Sequence, residues 1–180
     1  MRVLGLDPGS RRTGFGVVDG EGNRFRSLMC GKVSPPGRLD LPRRLHAIVD
    51  RVGEIMDECS PDCVAVEEAF YHESVRSTLV LGHVRGALLV AAVSRGLAVA
   101  EYSPRAVKLS VTGRGGASKD QVAFMVQRVL GLKGKLPPDA TDALAVALCH
   151  HHRSRLRSPE RPASAAARTL EALLDRRRVP

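Results

Sequence analysis

Apolar positions along this chain repeat in two ways. Val3-Leu4-Gly5-Leu6 and Cys63-Val64-Ala65-Val66 are short apolar runs that stop at polar residues, Asp7 and Glu67-Glu68. Runs of that kind read as buried strands. Leu45, Ile48, Val49, Val52, Ile55 and Met56 instead recur at helical spacing, on one face of a helix predicted from about Leu41 to Cys59. The same reading places strand 1 at about Arg2–Leu6. A turn through Gly9, Gly14 and Gly16 leads to strand 2 at Phe15–Asp19, and the Gly20-Glu21-Gly22-Asn23 turn leads to strand 3 at about Phe25–Val33. After the break at Pro35-Pro36-Gly37 and the first helix come strand 4 (Asp62–Val66), a second helix (about Ser74–Arg95) and strand 5 (Ala98–Tyr102). Ser103-Pro104 reads as the N-cap and first position of a third helix. Gly113-Arg114-Gly115-Gly116 is a flexible loop, Ser118 caps a helix to about Leu130, and a last helix begins near Asp139 after Pro137-Pro138.

Three strands joined by tight turns form an antiparallel meander, and right-handed βα crossovers then add parallel strands. The fold class is α/β: a five-stranded mixed sheet, strand order 3-2-1-4-5, with helices on both faces. Strand 4 lies parallel to the central strand 1, which sets Asp7 and Glu67 side by side at one end of the sheet. Polar residues at the carboxyl ends of neighbouring strands meet in one crevice. A chain of 180 residues is expected to form one domain. Residues 1–152 are read as that domain and residues 153–180, rich in Arg, Pro, Ser and Ala, as a basic disordered tail.

Charge changes this picture only through its placement. The net charge is +9, and the segment after residue 152 contributes +5 of it, so the folded part is only moderately basic. An acidic site in a basic protein points to a polyanionic substrate whose phosphates approach through metal ions. The four cysteines show no disulfide-like density, Asp7 interrupts the first apolar run before it could serve as a signal peptide, and Gly86–Val93 is too short to span a membrane. The expectation is a soluble cytoplasmic protein with no membrane partner.

The candidate chemistry lies in four acids. Asp139 and Asp142 are three apart, so they share a helix face with the strand-end acids Asp7 and Glu67 as possible neighbours. Acids in a first helical turn are also favoured by the helix dipole, by roughly 0.3–1 kcal/mol each, which explains the two aspartates equally well on its own. Converging carboxylates repel one another, raise the pKa of at least one member, and suit hard divalent cations with oxygen ligands. Two such ions support in-line phosphoryl displacement, one activating a water and one steadying the leaving oxygen.

Several ordered segments resemble one family. Leu4-Gly5-Leu6-Asp7-Pro8-Gly9-Ser10 with Thr13-Gly14-Phe15-Gly16, then Val66-Glu67-Glu68-Ala69-Phe70, Gly82-His83-Val84-Arg85-Gly86, Lys108 with Val111-Thr112-Gly113 and Ala117–Val122, and Asp139–Ala145 resemble the RuvC family of bacterial Holliday junction resolvases. Ser74 stands where that family often has Asn, and His83 where it often has Gln. The resemblance implies a ribonuclease H-like fold, a homodimer and dependence on Mg²⁺, two ions per site, with Mn²⁺ as a substitute. The implied reaction is a pair of symmetric nicks in a four-way DNA junction, leaving 5′-phosphate and 3′-hydroxyl ends, beside the branch-migration motor RuvA–RuvB. It assigns Asp7, Glu67, Asp139 and Asp142 as catalytic metal ligands and Lys108 and Lys119 as DNA contacts near the scissile phosphate. Phe70 corresponds to an aromatic residue that inserts at the junction.

Other residues carry their own readings. Arg76, early in the second helix, and Arg114, in the glycine loop, are counted with the DNA contacts. The glycines of that loop let backbone N–H groups approach phosphates, although a solvated basic face produces the same composition. Tyr71 is left undecided between DNA and core. Gly82 and Gly86, four apart, admit a close backbone, either the sheet beneath or a partner subunit. Cys59, Cys63 and Cys149–His152 lack the spacing of a zinc ribbon or finger, and the histidines are expected at a helix C-terminus. Two other functions compete: an actin-like phosphotransferase, which shares the sheet and the Asp-Pro-Gly-Ser turn but requires two facing domains, and a non-catalytic junction-binding module, which has no use for the acids.

Overall fold

A meander opens the chain, and each of its strands appears where the first apolar run and the glycine turns predict it. β1 (Arg2–Asp7), β2 (Thr13–Glu21) and β3 (Arg24–Val33) are antiparallel; β4 (Cys63–Glu67) runs parallel to β1 and β5 (Ala98–Tyr102) parallel to β4. The sheet order is β3-β2-β1-β4-β5, as the connectivity rules require. The structure is a computed structural model and describes residues 1–68, 74–134 and 136–156, except the side chains of 155 and 156.

Five helices complete the chain: α1 (Leu41–Cys59), α2 (Val75–Val93), α3 (Pro104–Thr112), α4 (Lys119–Leu130) and α5 (Pro138–Leu156). Their starts are set by short polar caps. The Asp40 side chain accepts from the Arg43 N–H at 3.1 Å, and Ser103 accepts from the Ala106 N–H at 3.3 Å. Ser118 and Gln121 form a reciprocal capping box. Each such cap stabilises its helix by about 1 kcal/mol. Gly113 ends α3 and Gly131 ends α4 at φ of 75° and 62°, a backbone region that other residues enter at a cost.

Alternation along the strands divides the core in two. Leu4, Leu6, Val17, Val64 and Val66 pack with Ile48, Val52 and Ile55 of α1 and with Val84 and Leu88 of α2. Val3, Val18, Cys63 and Ala65 face the other way, onto Val107 of α3, Val122 and Val126 of α4, and Leu144 and Leu148 of α5. Because successive strand residues alternate faces, Asp7 joins Val3 and Gly5 on the α5 face, and Glu67 joins Cys63 and Ala65 there.

The glycines of the first motif do something other than turn the chain. Gly14 and Gly16 lie within β2, paired with Asp7 and Gly5 of β1. A Cβ on Gly5 would collide with the Ala143 carbonyl, one on Gly14 with the Asp139 carbonyl, and one on Gly16 with Leu144. These positions are bare so that α5 can lie against the sheet. Helix α5 also runs to Leu156, a full turn past the histidines, so these do not cap its end as expected. His151 is buried and shares a 3.1 Å hydrogen bond with the Val18 carbonyl, while His150 lies 3.3 Å from the Cys63 thiol and 2.9 Å from the Tyr102 hydroxyl. They tie α5 to β2, β4 and β5.

Helix α2 differs from its expected description. It is long and apolar enough, by length and composition, to cross a membrane; the apolar character extends well beyond Gly86–Val93. One side of it packs on the sheet through Val84, Leu88, Ala91 and Ala92. The other exposes Val75, Leu79, Val90 and Val93, each more than 60% accessible. Space around Gly82 and Gly86 is open, so neither glycine admits the sheet beneath. Phe70, Tyr71 and nearly all of the proposed basic tail lie outside the described residues.

Candidate active site

The site forms where the central parallel strands end. Leu6 of β1 pairs with Val66 of β4, so the next residues, Asp7 and Glu67, emerge side by side on the α5 face. Their side chains are within hydrogen-bonding reach of one another. Immediately after Asp7 the chain makes a tight loop anchored by Thr13. This fully buried side chain donates to the Gly9 carbonyl at 2.8 Å and accepts from the Gly9 N–H at 3.4 Å. That anchor holds the loop that follows Asp7.

The helix supplies the other two acids. With Gly14 bare, the Asp139 backbone rests on β2 directly beside Asp7. Asp142 follows one turn later, and Lys119 at the start of α4 reaches its carboxylate at 3.4 Å. The charges of Asp139 and Asp142 act on Asp7, and that of Asp142 acts on Glu67. The fold thus joins residues more than a hundred positions apart in one acidic crevice.

Its electrostatics are strained. Burial, followed by the charges of Asp142 and Asp139, pushes the Asp7 carboxyl up to about 6. Burial and then the charge of Asp7 push Glu67 up to about 8. Near neutral pH the pair therefore holds a proton that an isolated carboxylate would release. Lys119 is shifted upward, chiefly by Asp142. Among the described residues, no three His, Cys, Asp or Glu side chains are close enough to enclose an ion as they stand. Asp142 has Lys119 as its counter-ion at 3.4 Å. All donors are carboxylate oxygens and the crowded pair requires positive charge, which fits a hard divalent cation.

The other predicted contacts are distributed unevenly. Lys119 is brought to the acids. Arg76 lines the same cleft as Asp7 and Glu67, which has a volume of about 880 Å³. Lys108 is half-buried on α3 and Arg114 exposed after it; neither is among the charges that act on Asp7 or Glu67. Sequence reasoning missed Arg11, Arg12 and Arg44, which also line this cleft. The Arg11-Arg12 pair directly after Asp7-Pro8-Gly9-Ser10 was a signal for the first two. Arg44 gave none, because only the packing of α1 brings it there.

A mixed sheet in this order, with acids at the tips of its central strands and on the helix crossing them, defines a ribonuclease H-like protein. The family model for crossover junction endodeoxyribonuclease RuvC matches residues 3–150, and the chain belongs to the RuvC family. The RuvC of Bordetella avium (strain 197N) is 47% identical over 169 residues, covering 94% of this chain and 93% of the relative. Thermus thermophilus RuvC in complex with a Holliday junction substrate superposes with a TM-score of 0.82 at 38% identity, over 87% of this chain and 96% of that one. The yeast mitochondrial Holliday junction resolvase Ydc2 shares the fold, with a TM-score of 0.63 at 12% identity over 83% of this chain and 77% of that one.

Proposed function

We propose that this chain is a metal-dependent endonuclease that resolves four-way DNA junctions in recombination and repair by paired symmetric nicks. The observation that carries this reading is the crevice of Asp7, Glu67, Asp139 and Asp142 beside Lys119, within a chain of the RuvC family. In it the four acids would hold two Mg²⁺ ions, with Mn²⁺ able to substitute. Bound there, the ions would supply water activation and charge stabilisation at the leaving 3′ oxygen. The protein's own groups do the rest. Asp7 and Glu67 give up the proton that they hold between them, and the fixed Pro8–Arg12 loop orients Asp7. Lys119 trades its contact with Asp142 for the substrate phosphate. Cleavage of the P–O3′ bond by water leaves a 5′-phosphate and a 3′-hydroxyl.

Lys108, Arg114 and Arg76 contact the DNA backbone in this reading, and Phe70 inserts at the junction. Two symmetric nicks require two sites, hence a homodimer. The exposed stripe of α2, with Gly82 and Gly86 open within it, supports a helix-to-helix interface. The dimer works with RuvA–RuvB in the cytoplasm. Cleavage of a synthetic four-way junction with Mg²⁺ tests the reading. Asp7→Asn is expected to lose more than about a hundredfold in rate, since weakening even an outer-shell metal partner costs 10–100-fold. Equal nicking by both proteins would remove the proposal.

A further inference from the structure

The cleft above the acids has a basic wall that the four carboxylates do not explain. Arg11 and Arg12 stand on the β1–β2 loop, Arg44 in the first turn of α1 and Arg76 in that of α2, all lining the space that Asp7 and Glu67 enter. Among the described residues none of the four forms an ion pair with an acid. The nearest capping acid, Asp40, is engaged by Arg43 at 3.8 Å instead. The Nε of Arg44 is buried and has no hydrogen-bond partner. A buried unsatisfied donor costs about 1–3 kcal/mol, more when charged. The loop bearing Arg11 and Arg12 is rigid: Thr13 anchors it, and Gly9 packs on the Arg12 carbonyl with no room for a Cβ.

These arginines lie apart from the reacting centre. The cation acting on both Asp7 and Glu67 is Lys119, carried by α4 on one face of the sheet. Arg44 belongs to α1, on the other face. We propose that Arg44, together with Arg11 and Arg12, seats a DNA phosphate next to the one that is cut, on the α1 side of the acids. The inference rests on the nuclease reading above. The bound strand is then held from both faces of the sheet, by Lys119 on one side and by guanidinium groups on the other. A guanidinium fork matches two phosphate oxygens at once, which a lysine cannot do. Because the seated phosphate does not react, its contact stabilises ground and transition states equally. It therefore lowers the half-saturating concentration and leaves the maximal rate nearly unchanged.

Single-turnover cleavage of a four-way junction with Mg²⁺, measured across protein and salt concentrations, tests the seat. For Arg44→Met the half-saturating concentration should rise about tenfold, the plateau rate should stay within about threefold, and the salt dependence should become shallower by about one phosphate. Arg44→Lys should restore the salt dependence but only part of the affinity. Arg12→Met, changing an exposed side chain, carries the same readouts should Arg44→Met fail to fold. Arg24→Met, at the far end of the β2–β3 hairpin, should match wild type. Wild-type half-saturation and salt dependence in both Arg44→Met and Arg12→Met, beside a wild type that cuts, would overturn the seat and leave the nuclease reading intact. A loss confined to the plateau rate, with unchanged salt dependence, would also overturn it, because that is what purely structural support produces. A wild type that neither binds nor cuts the junction would overturn both.

Discussion

At Glu67 burial and the charge of Asp7 favour a bound proton at the oxygens that the proposed divalent ion would use. The Glu67 carboxyl titrates at about 8 in the fold against an ordinary 4.5, so the folded chain holds the proton more tightly than the unfolded chain. A raised folded-state pKa means stability that is present at low pH and is lost as pH rises from about 4.5 toward 8. Asp7 adds the same trend between its ordinary 3.8 and about 6. Thermal melts in a chelator should therefore show the wild type losing several degrees between pH 5 and pH 8. Glu67→Gln, which keeps the shape without the charge, should flatten that loss, and Mg²⁺ should restore the wild type at pH 8. By the same competition Mg²⁺ affinity should weaken as pH falls from 8 to 6. Melting points independent of pH in the chelator would contradict this description of the pair.

At the scale of elements, the glycines of β1 and β2 fix the position of α5 and so the position of two acids. Gly14→Ala places a methyl group against the Asp139 carbonyl. It should destabilise the fold by about 1–3 kcal/mol and reduce cleavage further than the stability loss explains, as read by melts and junction assays on the same protein. Near-normal activity would mean that the close approach does not set the site. Much of this architecture was legible in the chain. Apolar runs and glycine turns located the strands of the sheet, and apolar periodicity with the caps at Ser103 and Ser118 located helices, because these patterns are local. Asp7 and Glu67 were legible as neighbours because parallel pairing follows from connection rules. The reason for Gly14 and Gly16 was not, since it lies in a helix more than a hundred residues away. The histidines were misread for a similar cause: α5 continues to Leu156, and the partners of His150 and His151 come from β2, β4 and β5.

For the whole molecule, the exposed face of α2 is where the proposed dimer would form. Val75, Leu79, Val90 and Val93 recur at spacings that keep one helix side toward a partner, and Gly82 and Gly86 leave room for close approach. Leu79→Glu combined with Val90→Glu should yield a folded monomer by sedimentation velocity where the wild type is a dimer at micromolar concentration. A wild type that sediments as a monomer would contradict the paired-site reading. With the proposed dimer, two acidic crevices, each bordered by basic side chains, would face one branched substrate. The test that reaches this most directly is anomalous diffraction from crystals soaked in Mn²⁺. We expect two manganese peaks per subunit within reach of Asp7, Glu67, Asp139 and Asp142. Peaks elsewhere on the molecule, with these four carboxylates free of metal, would contradict it.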